Sequence, residues 1–223
     1  SGPYRIGSSV EFDYCSVKCI QRLRENGHYV ITINCNPETI STDYDESDKL
    51  YFEEITIEKV LDIYKYEKAH GVIVSMGGQE PNNIALQLHE SKVNVLGTSP
   101  LSIDICEDRS KFSNMLDDLK IEQPSWTVAN NEKQISDFIK KVGFPVVIRP
   151  SYVLSGAAMR IIYDKDSLNK CLKDAQNISP AHPVVITQFI EDALEVDVDT
   201  VFNESYMVDV AISEHLENAG VHS

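Results

Sequence analysis

Basic residues are scarce in this sequence. Against 35 Asp and Glu there are only 20 Lys and Arg over 223 residues, a formal net charge of −15. Nucleic acids are held mainly by clustered Lys and Arg on phosphates, so this balance excludes nucleic acid as the expected partner. It also removes any attraction to anionic membranes. No apolar run approaches the ~18 residues that a membrane span requires, and no signal peptide opens the chain. Cysteine is sparse and scattered. Cys15, Cys19, Cys35, Cys106 and Cys171 make an odd count without a CxxC pair, and Cys15 and Cys19 lack nearby His partners. A zinc site is therefore not expected, and the thiols read as reduced residues of an intracellular protein. The Asn-x-Ser triplets at Asn177 and Asn203 are too common by chance to imply secretion. Two catalytic patterns are missing as well. No Gly-Lys-Ser/Thr string occurs, and His215 and His222 have no nucleophile at motif spacing, which leaves Ser-His-Asp and Cys-His chemistry without support.

What is present is an ordinary globular composition, 42% hydrophobic and 25% charged, in a length that holds one large domain or two ordinary ones. Cys15, Cys19, Ile20 and Leu23 follow helical spacing from Asp13 to Asn26, and Gly27 supplies a stop. Tyr29 to Ile33 is a β-branched run short enough to be a buried parallel strand. Thr56 to Glu67 reads as a helix capped by Thr56, Gly71 to Ser75 as a strand, Asn83 to Glu90 as a helix and Val93 to Gly97 as a strand. This alternation predicts an α/β domain with a doubly wound parallel sheet over residues 1–100. Gly77-Gly78, followed by polar Gln79, Glu80, Asn82 and Asn83, stands at the carboxyl end of a strand. Ligand crevices of open α/β sheets form there, although a plain strand-to-helix turn explains the same residues. Ser1-Gly2-Pro3 leads into the first helix with no strand before it, and such turn residues imply a preceding strand outside this chain.

Beyond Ser99-Pro100 the texture changes. Asp104 to Leu119 reads as one helix, Ser125 to Val128 as a strand, Gln134 to Val142 as a helix closed by Gly143, and Pro145 to Pro150 as a strand. Gly156 to Tyr163 looks like its hairpin partner. Asp166 to Gln176 is a further helix, and Val184 to Ile190 and Glu195 to Asp199 are strands with mixed faces. Residues 101–223 thus suit an α+β region built on an antiparallel sheet.

An acidic chain still binds a nucleotide wherever a local pocket is basic, which makes its few arginines informative. Arg149 ends the apolar run Val146-Val147-Ile148 and precedes Pro150, so its head leaves a buried strand at a fixed place. Arg109 lies one turn into the helix that begins at Asp104, and Arg160 follows Ser155-Gly156. A guanidinium grips phosphate oxygens bidentately as Lys does not; pairing with surface carboxylates is the alternative for each. Ser151 to Ala158 is a turn of small residues able to bring backbone N–H groups to a triphosphate. Glu191, Glu195, Asp197 and Asp199 form an acidic series in which the last three share one strand face. They suit ribose hydroxyls or Mg²⁺, or simply a solvated edge.

These strings resemble a known family. Pro3 to Gly7, Glu11 to Cys15, Asn34-Cys35-Asn36-Pro37-Glu38-Thr39, Ser41 to Asp45, Lys49 to Glu53, Gly77 to Gln79, Gly97 to Pro100 and Glu107 to Arg109 are similar to the large component of carbamoyl phosphate synthetases. So are Arg149-Pro150-Ser151-Tyr152-Val153-Leu154-Ser155-Gly156 and Ser213-Glu214-His215 through Ala219 to Ser223. The resemblance runs end to end. That component holds two ATP-grasp units, and Asn-Pro-Glu-Thr, Tyr-Phe-Glu-Glu and Pro-Ser-Tyr-Val-Leu-Ser-Gly are similar to the second, in a eukaryotic-like form.

The resemblance implies a pre-ATP-grasp domain over residues 1–100 and an incomplete ATP-grasp domain over 101–223, the small lobe with the start of the large one. It implies MgATP-dependent phosphorylation of carbamate to carbamoyl phosphate, feeding pyrimidine or arginine and urea synthesis. Arg109 and Arg149 match its two ATP-contacting arginines. Gln188 and Ile190 match the stretch that meets adenine, and Glu195 matches the ribose carboxylate. Gly220, Val221, His222 and Ser223 match a further nucleotide-contacting segment. Its Mg²⁺ ligands fall beyond Ser223, so no metal ligand is assigned here and the chain alone is expected to be inactive. Implied partners are the first synthetase unit and a glutaminase domain or subunit, in the cytoplasm or the mitochondrial matrix. Another ATP-grasp ligase, such as a biotin carboxylase, and a non-catalytic nucleotide-binding regulatory module are the alternatives.

Overall fold

The computed structural model describes residues 1–2, 10–150, 159–178, 184–203 and 205–217. These fall into two compact units, Ser1–Phe112 and Ser113–Ser223.

In the first unit, α1 (Val10–Glu25) ends as the sequence expects, with Gly27 at φ 82°. The N–H groups of Gly27 and His28 donate to the carbonyls of Arg24 and Leu23 at 2.9 and 3.1 Å, which closes the last turn. β1 (Ile31–Ile33) pairs in parallel with β2 (Lys49–Tyr51), Thr32 opposite Leu50. α2 (Ile57–Glu67) follows, its first turn capped by Thr56, whose Oγ1 accepts from the Lys59 N–H at 3.3 Å. β3 (Val72–Ile73) pairs in parallel with β4 (Val95–Leu96). The helix expected from Asn83 to Glu90 is two short ones, α3 (Gln79–Asn83) and α4 (Ala85–Glu90), separated at Ile84. α5 (Pro100–Glu107) completes the run, and the division between the units falls within α6 (Arg109–Asp118), after Phe112. Parallel pairing is thus present as two two-stranded pieces among the described residues. Val60, Val74, Ala85, Leu88, Val93 and Ile103 form the buried core.

The second unit is antiparallel. β5 (Trp126–Ala129), α7 (Glu132–Val142), β6 (Val146–Pro150), β7 (Arg160–Ile162), α8 (Lys165–Ile178) and β8 (Val184–Gln188) build a four-stranded sheet in the order β5-β8-β6-β7. α7 starts where Asn131 accepts from the Gln134 N–H at 3.0 Å, and Gly143 ends it. Its apolar positions Ile135, Phe138, Ile139 and Val142 keep one helical face, and they pack on Val146, Ile148 and Ile186, all 1% exposed or less. β9 (Val196–Asn203) and β10 (Tyr206–Glu214) form a separate antiparallel ribbon whose strand residues are all exposed.

Candidate functional site

The single helix expected from Asp104 to Leu119 is corrected by the structure, because the chain breaks at Asp108. Asp108 takes an extended conformation, φ −87° and ψ 111°. Its Oδ1 accepts from the N–H groups of Ser110 and Lys111, both at 2.9 Å, and its carbonyl accepts from Phe112 at 2.8 Å. Asp108 is therefore the N-cap of a new helix, satisfying donors that a helix start leaves open. Apolar periodicity runs straight through this point, which is why the sequence pattern hid it. Arg109 becomes the first residue of α6 rather than one turn inside a longer helix. Lys111 Nζ reaches back to Asp104 Oδ2 at 2.6 Å and ties α6 to α5.

Arg149 is the fourth residue of β6, an inner strand of the sheet, and is half-buried. It lies opposite Val185 of β8, and Ile148 lies opposite Arg160 of β7. Alternation along β6 sends Val146 and Ile148 into the helix-covered core. It puts Arg149 on the other face with Val147, which is 4% exposed. The expectation that Arg149 emerges from a buried strand at a fixed place is met. Arg160 stands at the exposed start of β7. The small-residue turn Ser151 to Ala158 lies outside the described residues.

Gln188 pairs with Val146, three residues from the Arg149 register, or about 10 Å along the strand. Its side chain therefore leaves the face opposite to that of Arg149. Its backbone N–H donates to the Ser125 carbonyl at 2.8 Å, and that of Phe189 donates to Pro145 at 3.0 Å. These bonds hold the chain in place as it leaves the sheet toward Ile190, which is 55% exposed.

Glu195 stands just before β9, and the ribbon's pairing brings His215, just past β10, beside it. The His215 N–H donates to the Glu195 carbonyl at 3.1 Å. His215 Nε2 lies 2.7 Å from Asp197 Oδ2, and Nδ1 lies 3.9 Å from Glu195 Oε2. The hydrogen bond to Asp197 raises the His215 pKa above its ordinary value. The charges of Glu195, Asp197 and Glu217 act in the same direction, and burial opposes them. Of the acidic series, Glu195 and Asp197 thus converge on one imidazole, while Asp199 pairs across the ribbon with Ala211. Sequence reading assigned His215 no role, since the contact depends on strand pairing across 18 residues.

At the strand ends of the first unit, Gly78 has φ 85°, and a Cβ on Gly77 would meet Pro81 Cγ at 2.7 Å, so both glycines are required by the turn. Nearby is a buried polar cluster. Asp13 accepts from the Ser41 N–H at 3.0 Å and from its hydroxyl, and Asn34 Nδ2 donates to Ser41 Oγ at 3.0 Å. Asn34 Oδ1 and Asn36 Oδ1 each accept from the backbone two residues on, at 3.0 Å. This cluster fixes the segment after β1 by hydrogen bonds instead of apolar packing.

Arg109 belongs to the first unit, and Arg149, Gln188, Ile190 and Glu195 to the second. Gly220, Val221, His222 and Ser223 lie outside the described residues. Among the described residues no group of three or more His, Cys, Asp or Glu side chains is arranged to hold a metal ion, and no helix is long and apolar enough to cross a membrane.

Comparison with known proteins bears on what these residues serve. The chain is 57% identical over 223 residues to the multifunctional protein pyrABCN of Emericella nidulans. It is 56% identical over 223 residues to the mitochondrial arginine-specific carbamoyl phosphate synthase large chain of Schizosaccharomyces pombe. All of the chain is matched in both, yet it spans only 10% and 19% of the two relatives' lengths. In three dimensions it is similar to the biotin carboxylase domain of Hydrogenobacter thermophilus 2-oxoglutarate carboxylase, solved with MgADP, ADP and bicarbonate. The TM-score is 0.69 at 17% identity, covering 83% of this chain and 44% of that one, a likeness of fold. Residues 1–105 match the carbamoyl phosphate synthase preATP-grasp domain, and residues 108–215 match the ATP binding domain of the carbamoyl-phosphate synthase L chain. With these two successive matches and relatives aligned over its whole length, the chain belongs to the carbamoyl phosphate synthase large-chain family.

Proposed function

We propose that this chain is the front part of the second ATP-grasp unit of such a large chain, the unit that phosphorylates carbamate. Residues 1–100 serve as its pre-ATP-grasp domain and 101–223 as the first part of its ATP-grasp domain. The observation that carries the reading is Arg149, a half-buried residue delivered by an inner strand of the sheet. Arg149 and Arg109 neutralise phosphate charge. The backbone at Gln188 and Ile190 lies along the adenine, Glu195 receives ribose hydroxyls, and Gly220 to Ser223 add a further nucleotide contact. When bound, MgATP supplies the phosphoryl group that carbamate accepts. No covalent nucleophile is needed, since phosphoryl transfer is served by positioning and charge neutralisation. The partners in this reading are the first synthetase unit and a glutaminase domain or subunit of the same enzyme.

Arg149→Met in the full-length polypeptide tests it. Loss of one charge-assisted contact costs roughly 1.5–3 kcal/mol, about a 10–150-fold loss of transition-state stabilisation. ATP synthesis from carbamoyl phosphate and ADP is expected to fall by that factor, while bicarbonate-dependent ATPase at the other unit is spared. The reverse pattern would assign the chain to the first unit.

A further inference from the structure

We infer that His215 is a positioning residue for the nucleotide's ribose, acting through Glu195; the inference rests on the proposed role of Glu195 as the carboxylate that meets the ribose hydroxyls. Glu195 lies outside any strand, just ahead of β9, and receives no ladder bond from the four-stranded sheet. A carboxylate on such a segment contributes to binding only if the segment is pinned, because ordering it at the moment of binding weakens affinity.

His215 pins it in two ways. Its backbone N–H donates to the Glu195 carbonyl at 3.1 Å, which extends the ribbon's pairing one step past Glu214 and Val196. Its imidazole Nδ1 faces Glu195 Oε2 at 3.9 Å while Nε2 is bound to Asp197 Oδ2 at 2.7 Å. The ring is the most enclosed of the three side chains, 19% exposed against 32% for Glu195 and 59% for Asp197. Asp197 therefore orients the ring, and the ring sets the direction of the Glu195 carboxylate. Among the described residues the charges that act on the ring, Glu195 and Asp197 in contact and Glu217 beside them in sequence, are all acidic, so a cation is the complementary occupant of this position. At 3.9 Å the imidazole acts on the Glu195 carboxylate by charge rather than by a short hydrogen bond.

The experiment compares ADP with 2′,3′-dideoxy-ADP in the carbamoyl phosphate-driven partial reaction of the full-length enzyme. His215→Ala is expected to raise the KM for ADP by roughly 3–10-fold, the scale of one weakened hydrogen bond to a charged group. It should leave the KM for dideoxy-ADP unchanged, because that nucleotide has no hydroxyls for Glu195 to hold. His215→Gln keeps a donor toward Asp197 and is expected to recover part of the loss; it also serves if the alanine variant fails to fold. Equal KM increases for the two nucleotides would mean a merely structural histidine and would overturn the inference, as would no increase for either. Glu195→Gln separates the two levels. If it discriminates between the sugars while His215→Ala does not, only the positioning role falls. If it fails to discriminate, the ribose reading itself falls, and the inference with it.

Discussion

Asp108 turns one continuous helical pattern into two helices, and its consequence reaches Arg109. At the first position of α6 the guanidinium starts from a backbone whose direction is set by the Asp108 carboxylate, through bonds to Ser110 and Lys111. Removing an N-cap acceptor costs about 1 kcal/mol. Asp108→Ala is expected to lower the unfolding free energy by that amount in urea titration, while Asp108→Asn, which keeps the acceptor, stays close to the parent. Lys49, Tyr51 and Glu67 make a different kind of residue-scale contact. Glu67 Oε1 accepts from Lys49 Nζ at 2.5 Å and from the Tyr51 hydroxyl, which ties β2 to α2. The hydrogen bond to Glu67 raises the Lys49 pKa, and the one from Lys49 lowers that of Glu67.

Among the elements, the β9–β10 ribbon is closed at its end by the Asp197–His215 bond, and this gives it a pH dependence with a definite sign. The folded-state pKa of His215 is raised. Its contribution is therefore fully present below the unfolded value of about 6.5 and is lost as pH rises through the higher folded value. An NMR titration of the His215 ring should show a midpoint above the ordinary histidine value, and Asp197→Asn should lower it; a midpoint unmoved by that substitution would break the assignment. Elements also show what was legible in the sequence. Strands such as Val146–Pro150 and the Thr56 cap are local signals, and they were readable. The Asn131 cap was not read, and the helix it starts begins at Glu132 rather than Gln134. β2 was not, because Lys49-Leu50-Tyr51 carries no apolar run and is a strand only through its register with β1. The break at Asp108 was masked by periodicity that continues across it. The Glu195–His215 contact depends on pairing between segments whose side chains, read singly, carry no motif. Arg149 was legible because burial and its following proline are both local.

Across the whole molecule, charge and apolar surface are distributed unevenly. The chain carries a net charge of −15, yet its proposed site depends on two arginines. The β9–β10 ribbon leaves apolar side chains at least 58% exposed on both faces, Val198, Phe202 and Ile212 on one and Val201 on the other. The cysteines are unevenly placed too, and this has a practical consequence. Cys15, Cys35 and Cys106 are exposed, Cys19 is half-buried with its pKa raised by burial, and Cys171 is buried in the core of the second unit. Only thiolates attack alkylating reagents, and only reachable ones do so. The molecule thus contains its own stopwatch. Three thiols should alkylate first, Cys19 more slowly, and Cys171 only when the sheet-and-helix core opens, with every 1.36 kcal/mol of opening free energy slowing it about tenfold. Mass spectrometry of timed iodoacetamide quenches would read the local stability of that core directly, without denaturant and without any introduced probe. Labelling of Cys171 in step with Cys15 would mean that the core is already open in solution.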